Sequence, residues 1–146
     1  MMRGYVCVGL LNPKSPLNVG SALRICGNFG VQMLAISGKR FAKYKPQCTD
    51  TMAQYRHMPL LEAEDMQALL PYDCVPIAVE LGGDNICTFT HPERAFYIFG
   101  PEDGGVSKAV QRWCARTITV PTDRCMNLAV SIGVVLYDRL LKNGGG

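Results

Sequence analysis

The chain has 146 residues, of which 48% are hydrophobic and 18% charged, with a formal charge of +3. That profile fits one folded domain with a real core, too short for two independent cores, and it excludes a disordered or low-complexity chain. So small a positive charge admits a nucleic-acid partner through a local patch without establishing one. The apolar opening, residues 1–11, is far too short to span a bilayer and reads as a buried strand rather than a signal peptide, so the expected home is the cytoplasm.

In chain order, the short and nearly continuous apolar runs at residues 5–11, 33–37, 75–81, 95–100 and 117–120 predict strands covered on both faces. Helical stretches lie between them. Residues 19–29 follow Asn18, which can cap a helix, and residues 62–70 are amphipathic and stop at Pro71. Residues 107–114 follow a glycine pair with Ser107 able to cap them, and residues 128–142 make the longest helix. This alternation predicts a single α/β domain over residues 1–146, with a mostly parallel sheet flanked by helices and residues 143–146 as a frayed tail. The final helix carries apolar residues at 128, 132, 135 and 136 and also at 130, 134 and 137, a stripe too wide for one flat contact with a sheet. It is either threaded deep in the domain or part of a subunit interface.

Seven cysteines, at 7, 26, 48, 74, 87, 114 and 125, form no CxxC pair, and their odd count on apolar segments argues against disulfides and against a metal site. They are expected to be reduced core fillers. Arg40, Lys43 and Lys45, with Lys39 beside them, form a basic patch that is either a solvated loop or a contact for a nucleic-acid backbone.

Three blocks fall where a strand gives way to a helix: Asn18-Val-Gly-Ser-Ala-Leu-Arg24, Gly100-Pro-Glu-Asp-Gly-Gly105 and Pro121-Thr-Asp-Arg-Cys-Met-Asn127-Leu128. Such turns sit at the carboxyl edge of an open α/β sheet, where ligands bind. In the first, Gly20, Ser21, Arg24 and Asn28 share a polar helix face, so Arg24 stands among small residues and its guanidinium can reach a phosphate or a ribose, or simply be an exposed arginine. In the second, Glu102 and Asp103 bring negative charge to the helix entrance, which disfavours a phosphate and suits a cationic or neutral ligand. Neither GxxxxGK[ST] nor GxGxxG is present, so a nucleotide-phosphate enzyme is the weakest reading. In the third, Asn127 can cap the last helix or bond a ligand, with Met126 and Leu128 lining an apolar slot for a flat ring.

Taken in this order and spacing, Asn-x-Gly-x-x-x-Arg, Phe-Gly-Pro-Glu and Met-Asn-Leu at the final helix resemble the three motifs of the SpoU (TrmH-like) class of SPOUT RNA methyltransferases, over almost the whole chain. The likeness extends to small single-domain members that methylate a tRNA ribose 2′-hydroxyl, with rRNA as the other RNA substrate to consider. It implies a C-terminal trefoil knot, a homodimer and S-adenosylmethionine bent into the knot. By that resemblance the adenine sits among the backbone of Val79, Gly100 and Val120, with Glu102 at the pocket and Cys125, Met126 and Leu128 closing it. Asn18, Arg24 and Asn127 are then the catalytic candidates, and Arg24, Arg40, Lys43 and Lys45 would meet RNA.

The expected reaction is in-line transfer of the sulfonium methyl to a ribose 2′-oxygen, with the protein supplying alignment and proton removal. Arginine side chains stay protonated at physiological pH, so Arg24 is expected to hold the adjacent phosphate and stabilise charge developing on oxygen. A non-catalytic RNA-binding module of the same fold is the alternative.

Overall fold

The computed structural model describes residues 3–40 and 58–144. Its centre is β1 (Tyr5–Leu11), in which Val6, Cys7, Val8 and Leu10 are all buried, and which pairs in parallel on one side with β2 (Met33–Ser37) and on the other with β5 (Arg94–Phe99). Among the described residues the sheet has six strands, in the order β3 (Leu60–Ala63), β2, β1, β5, β4 (Val75–Asn85) and β6 (Arg116–Thr119), and every pairing is parallel. Continuous apolar runs suit such strands, because helices must cover both faces.

On one face, Val6, Val8, Leu10, Leu34, Tyr97 and Ile118 pack against α1 (Pro16–Asn28) and the C-terminal α3 (Leu128–Asn143). On the other, Cys7, Met33, Ala35, Phe96 and Ile98 meet α2 (Lys108–Trp113) and a 3-10 turn at Met66–Leu69. The wide apolar stripe of α3 divides accordingly. Leu128, Ile132, Val135 and Leu136 are buried, whereas Val130 at 52%, Tyr137 at 57% and Leu141 at 70% stand exposed.

Three expectations are corrected. Helix α1 starts at Pro16, not after Asn18, and its cap is Ser15, whose hydroxyl accepts the Asn18 N–H at 3.3 Å. Proline at the first helical position has no N–H to satisfy and a φ already set for the helix, so the start moves three residues upstream and Asn18 lies within the first turn. Gly20 is buried rather than on the polar face with Ser21, Arg24 and Asn28. The stretch 62–70 is not one helix: residues Leu60–Ala63 form β3 on the open edge of β2, and only Met66–Leu69 turn as a 3-10 helix under Asp65. Ladder hydrogen bonds to β2 outweigh the local helical pattern there.

Strand β4 (Val75–Asn85) runs longer than expected, with Ile118 of β6 (Arg116–Thr119) paired to both Val79 and Asp84, so residues 80–83 bulge out of the ladder. The cysteines are only partly core fillers. Cys7, Cys26 and Cys74 are buried, and burial pushes the Cys7 thiol up to about 12, but Cys87 and Cys125 are exposed. Cys48 lies outside the described residues.

At the amino edge of the sheet, Arg139 of α3 is fully buried, an arrangement the sequence did not announce. Its guanidinium donates to the carbonyls of Arg3, Pro92 and Glu93 at 2.9, 2.5 and 2.8 Å and to the Tyr97 hydroxyl at 3.2 Å. His91 bridges Tyr97 and Asp138 at 2.6 Å each; burial lowers its pKa although Asp138 pulls the other way. This network anchors α3 at the end opposite the loops described next.

Candidate active site

Because the strands run in parallel, the segments leaving β1, β4, β5 and β6 all emerge at the carboxyl edge. They enclose a cleft of about 430 Å³, within the range of small-molecule sites. Val79, Leu81, Phe99, Val120, Met126 and Leu128 supply its apolar wall. Asn18, Glu80, Glu102, Thr119, Cys125, Asn127 and Ser131 supply its polar groups.

The three sequence blocks are bonded to one another. The Asn18 amide nitrogen donates to Glu102 Oε2 at 2.9 Å, and its oxygen accepts from Asn127 Nδ2 at 3.0 Å. Glu102 also accepts the backbone N–H groups of Lys14 and Ser15, each at 2.9 Å. Burial by itself would raise the Glu102 carboxyl pKa, but the Lys14 N–H, the Asn18 amide and the Ser15 N–H together hold it below the ordinary value. Asn127 caps α3, its oxygen accepting from Ala129 N at 2.9 Å and Val130 N at 3.2 Å.

The turn after β5 folds back on itself. A Cβ at Gly100 would meet the Gly105 carbonyl carbon at 2.4 Å, so only glycine fits. Beside it, Asp103 is clasped by both terminal nitrogens of Arg40, at 2.8 and 3.1 Å, and that arginine holds the Asp103 carboxyl down to about 2.

Every residue the sequence assigned to the pocket, namely Val79, Gly100, Glu102, Val120, Cys125, Met126 and Leu128, lines this cleft, and so do Asn18 and Asn127. Arg24 does not line it. It stands exposed on α1, beyond the turn that carries Asn18. Arg40 lies outside the cleft, donating to Asp103 and to the Asn12 carbonyl, while Lys43 and Lys45 fall outside the described residues. Sequence reasoning missed Glu80 and Thr119. Glu80 accepts the Val106 N–H at 2.5 Å, and Thr119 donates its hydroxyl to the Glu80 carbonyl at 2.6 Å. An acid set within the apolar run 75–81 was the available signal for Glu80.

The family described as SpoU rRNA Methylase matches residues 5–137. An uncharacterized tRNA/rRNA methyltransferase of Archaeoglobus fulgidus is 23% identical over 142 residues, covering 92% of this chain and 63% of the relative. The tRNA (cytidine(34)-2′-O)-methyltransferase of Escherichia coli K12 is 26% identical over 144 residues, covering 88% of each chain. Among solved structures, the SpoU methyltransferase AviRb of Streptomyces viridochromogenes, in complex with the cofactor AdoMet, superposes with a TM-score of 0.85 at 19% identity, over all of this chain and 63% of that one. The chain thus spans under two thirds of the archaeal relative and of AviRb, but most of the Escherichia coli enzyme.

Proposed function

The chain belongs to the SpoU rRNA Methylase family, and from that premise we propose that it transfers a methyl group from S-adenosylmethionine to a ribose 2′-hydroxyl of RNA, with tRNA as substrate. The observation that carries this reading is the meeting of Asn18, Glu102 and Asn127, one from each block, on a single cleft at the carboxyl edge. The tRNA substrate is supported by the name of the Escherichia coli relative, and the donor by the cofactor bound to AviRb.

The cleft fits such a donor. Its apolar wall suits a flat ring, its glycine turn brings backbone groups close, and among the described residues it is lined by two carboxylates and by no lysine or arginine, a set that would repel a phosphate. S-adenosylmethionine supplies a methyl group made electrophilic by its sulfonium sulfur. The backbone of Val79, Gly100 and Val120 seats the ring, and Cys125, Met126 and Leu128 close over it. Glu102 and Asn18 fix the β1–α1 turn against the β5 turn, so the walls hold their spacing while substrate enters. Arg24 holds the phosphate next to the reacting ribose and stabilises charge developing on the 2′-oxygen, whose proton leaves to water or to that phosphate. Arg40, Lys43 and Lys45 take further backbone phosphates, Arg40 exchanging Asp103 for one of them.

The protein acts as a homodimer through the exposed apolar residues of α3. Val130, Val134, Tyr137 and Leu141 border a groove that also includes Ile25, the neighbour of Arg24. Dimerisation there sets Arg24 near the seam between copies, which accounts for its distance from the cleft of its own protomer. The trefoil knot is the topology we assign to the C-terminal third, and its support is family membership together with the return of α3 to Asn18. Among the described residues no helix is long and apolar enough to cross a membrane; the cytoplasm is the compartment proposed for this reaction.

Mass spectrometry of RNA nucleosides from cells lacking the protein tests the reading. One 2′-O-methylated nucleotide should disappear and return with the wild-type gene, whereas an unaltered nucleoside profile would overturn it.

A further inference from the structure

Glu80 stands where β4 leaves the ladder. It begins the bulge at residues 80–83 and lines the cleft, its Oε2 accepting the Val106 N–H at 2.5 Å and its Oε1 the Leu81 N–H at 2.7 Å. A Cβ at Gly105 would come within 1.9 Å of Oε2, so the glycine there leaves room for this carboxylate. The group is therefore fixed rather than swinging in solvent. Both of its partners are neutral amides, and among the described residues neither Glu80 nor Glu102 forms an ion pair with lysine or arginine. Asp103, the next acid, is instead matched by Arg40.

We propose that Glu80 is a specificity-determining residue of the donor cleft, whose fixed negative charge favours the sulfonium donor over the neutral thioether left after transfer. This rests on the methyltransferase reading above. In the transfer, the bond between sulfur and methyl carbon breaks and a bond from that carbon to the ribose 2′-oxygen forms. The 2′-hydroxyl proton leaves to solvent or phosphate, and sulfur keeps the electron pair and loses its charge. Donor and product otherwise differ only by the methyl group, so a charge on the cleft wall acts on their ratio of affinities. Glu102 is less suited to this part, because three N–H donors occupy both its oxygens and draw it towards the β1–α1 turn.

A unit charge facing another across a wet cleft is worth on the order of fivefold to tenfold in binding. Calorimetry of the full chain with S-adenosylmethionine and with S-adenosylhomocysteine reads this directly. Glu80→Gln keeps the size of the side chain and one acceptor while removing the charge. It should weaken the donor by about fivefold to tenfold and leave the product within about twofold. Equal weakening of both ligands would show that Glu80 only shapes the loop, and would overturn the assignment. Should that variant fail to fold, raising salt on the wild-type protein serves instead: the donor should lose affinity and the product should not, since only the charged pair is screened. An equal salt response overturns the assignment. If wild-type protein binds neither ligand, the methyltransferase reading itself falls, and this inference with it.

Discussion

Asn127 Nδ2 donates to Asn18 Oδ1 at 3.0 Å, joining residues 109 positions apart. The bond can run only one way. The Asn127 oxygen is already taken by the N–H groups of Ala129 and Val130, and the Asn18 nitrogen is committed to Glu102. Asn127 thus does two jobs, capping its own helix and reaching across to Asn18, while the Asn18 amide ties both other blocks together.

Asn127→Asp separates these jobs. Aspartate caps helices as well as asparagine does but has no donor for Asn18, so thermal stability should stay within about 0.5 kcal/mol while methyl transfer is lost. Asn127→Ala removes both and should cost about 1 kcal/mol as well. Thermal melts beside an activity assay check the pair, and full activity in the aspartate variant would show that the cross-cleft bond is dispensable.

Glu102 makes a prediction about acid. Its folded pKa lies below the unfolded value, so its contribution to stability is fully present above the ordinary carboxylate pKa and disappears as pH falls through the depressed folded value. Between about pH 5 and pH 3, wild-type protein should therefore lose stability faster than Glu102→Gln. Denaturant melts across that window measure it, and parallel curves would remove Glu102 from the acid response.

For Arg24, the exposed position predicts a clean split. Arg24→Ala should change stability by less than about 0.5 kcal/mol and leave donor affinity intact, since the side chain does not line the cleft, while abolishing turnover. Calorimetry and a methylation assay on the same preparation decide the matter, and unchanged turnover would strike Arg24 from the reaction.

The exposed face of α3 predicts assembly. Wild-type protein should sediment at twice the chain mass of 16.0 kDa, and Val134→Glu, which puts a charge in the apolar groove, should sediment as a monomer. Identical masses for the two would mean that this face is not the interface.

How much of this was legible beforehand depended on whether the causes were local. Strands β1 and β2 begin and end where their apolar runs do, and Ser107 and Asn127 cap α2 and α3 as their side chains suggest. Cleft residues such as Val79, Gly100 and Val120 were named by the resemblance to SpoU methyltransferases, and they meet in one cleft because a parallel sheet sends the ends of its strands to one edge. What stayed hidden depends on partners remote in the chain. Strand β3 exists because β2 offers an open edge, and the β4 bulge that carries Glu80 goes with Ile118 pairing to both Val79 and Asp84. Nothing local in the sequence singles out Arg139. Its burial needs the carbonyls of Arg3, Pro92 and Glu93, which only the finished fold assembles.

The most direct measurement is incubation of the purified protein with S-adenosylmethionine and tRNA from cells lacking it, followed by nucleoside mass spectrometry. The account predicts one 2′-O-methylated nucleoside with the wild-type protein and none with Asn127→Asp. Methylation of a base instead of a ribose, or equal ribose methylation by both proteins, would contradict it.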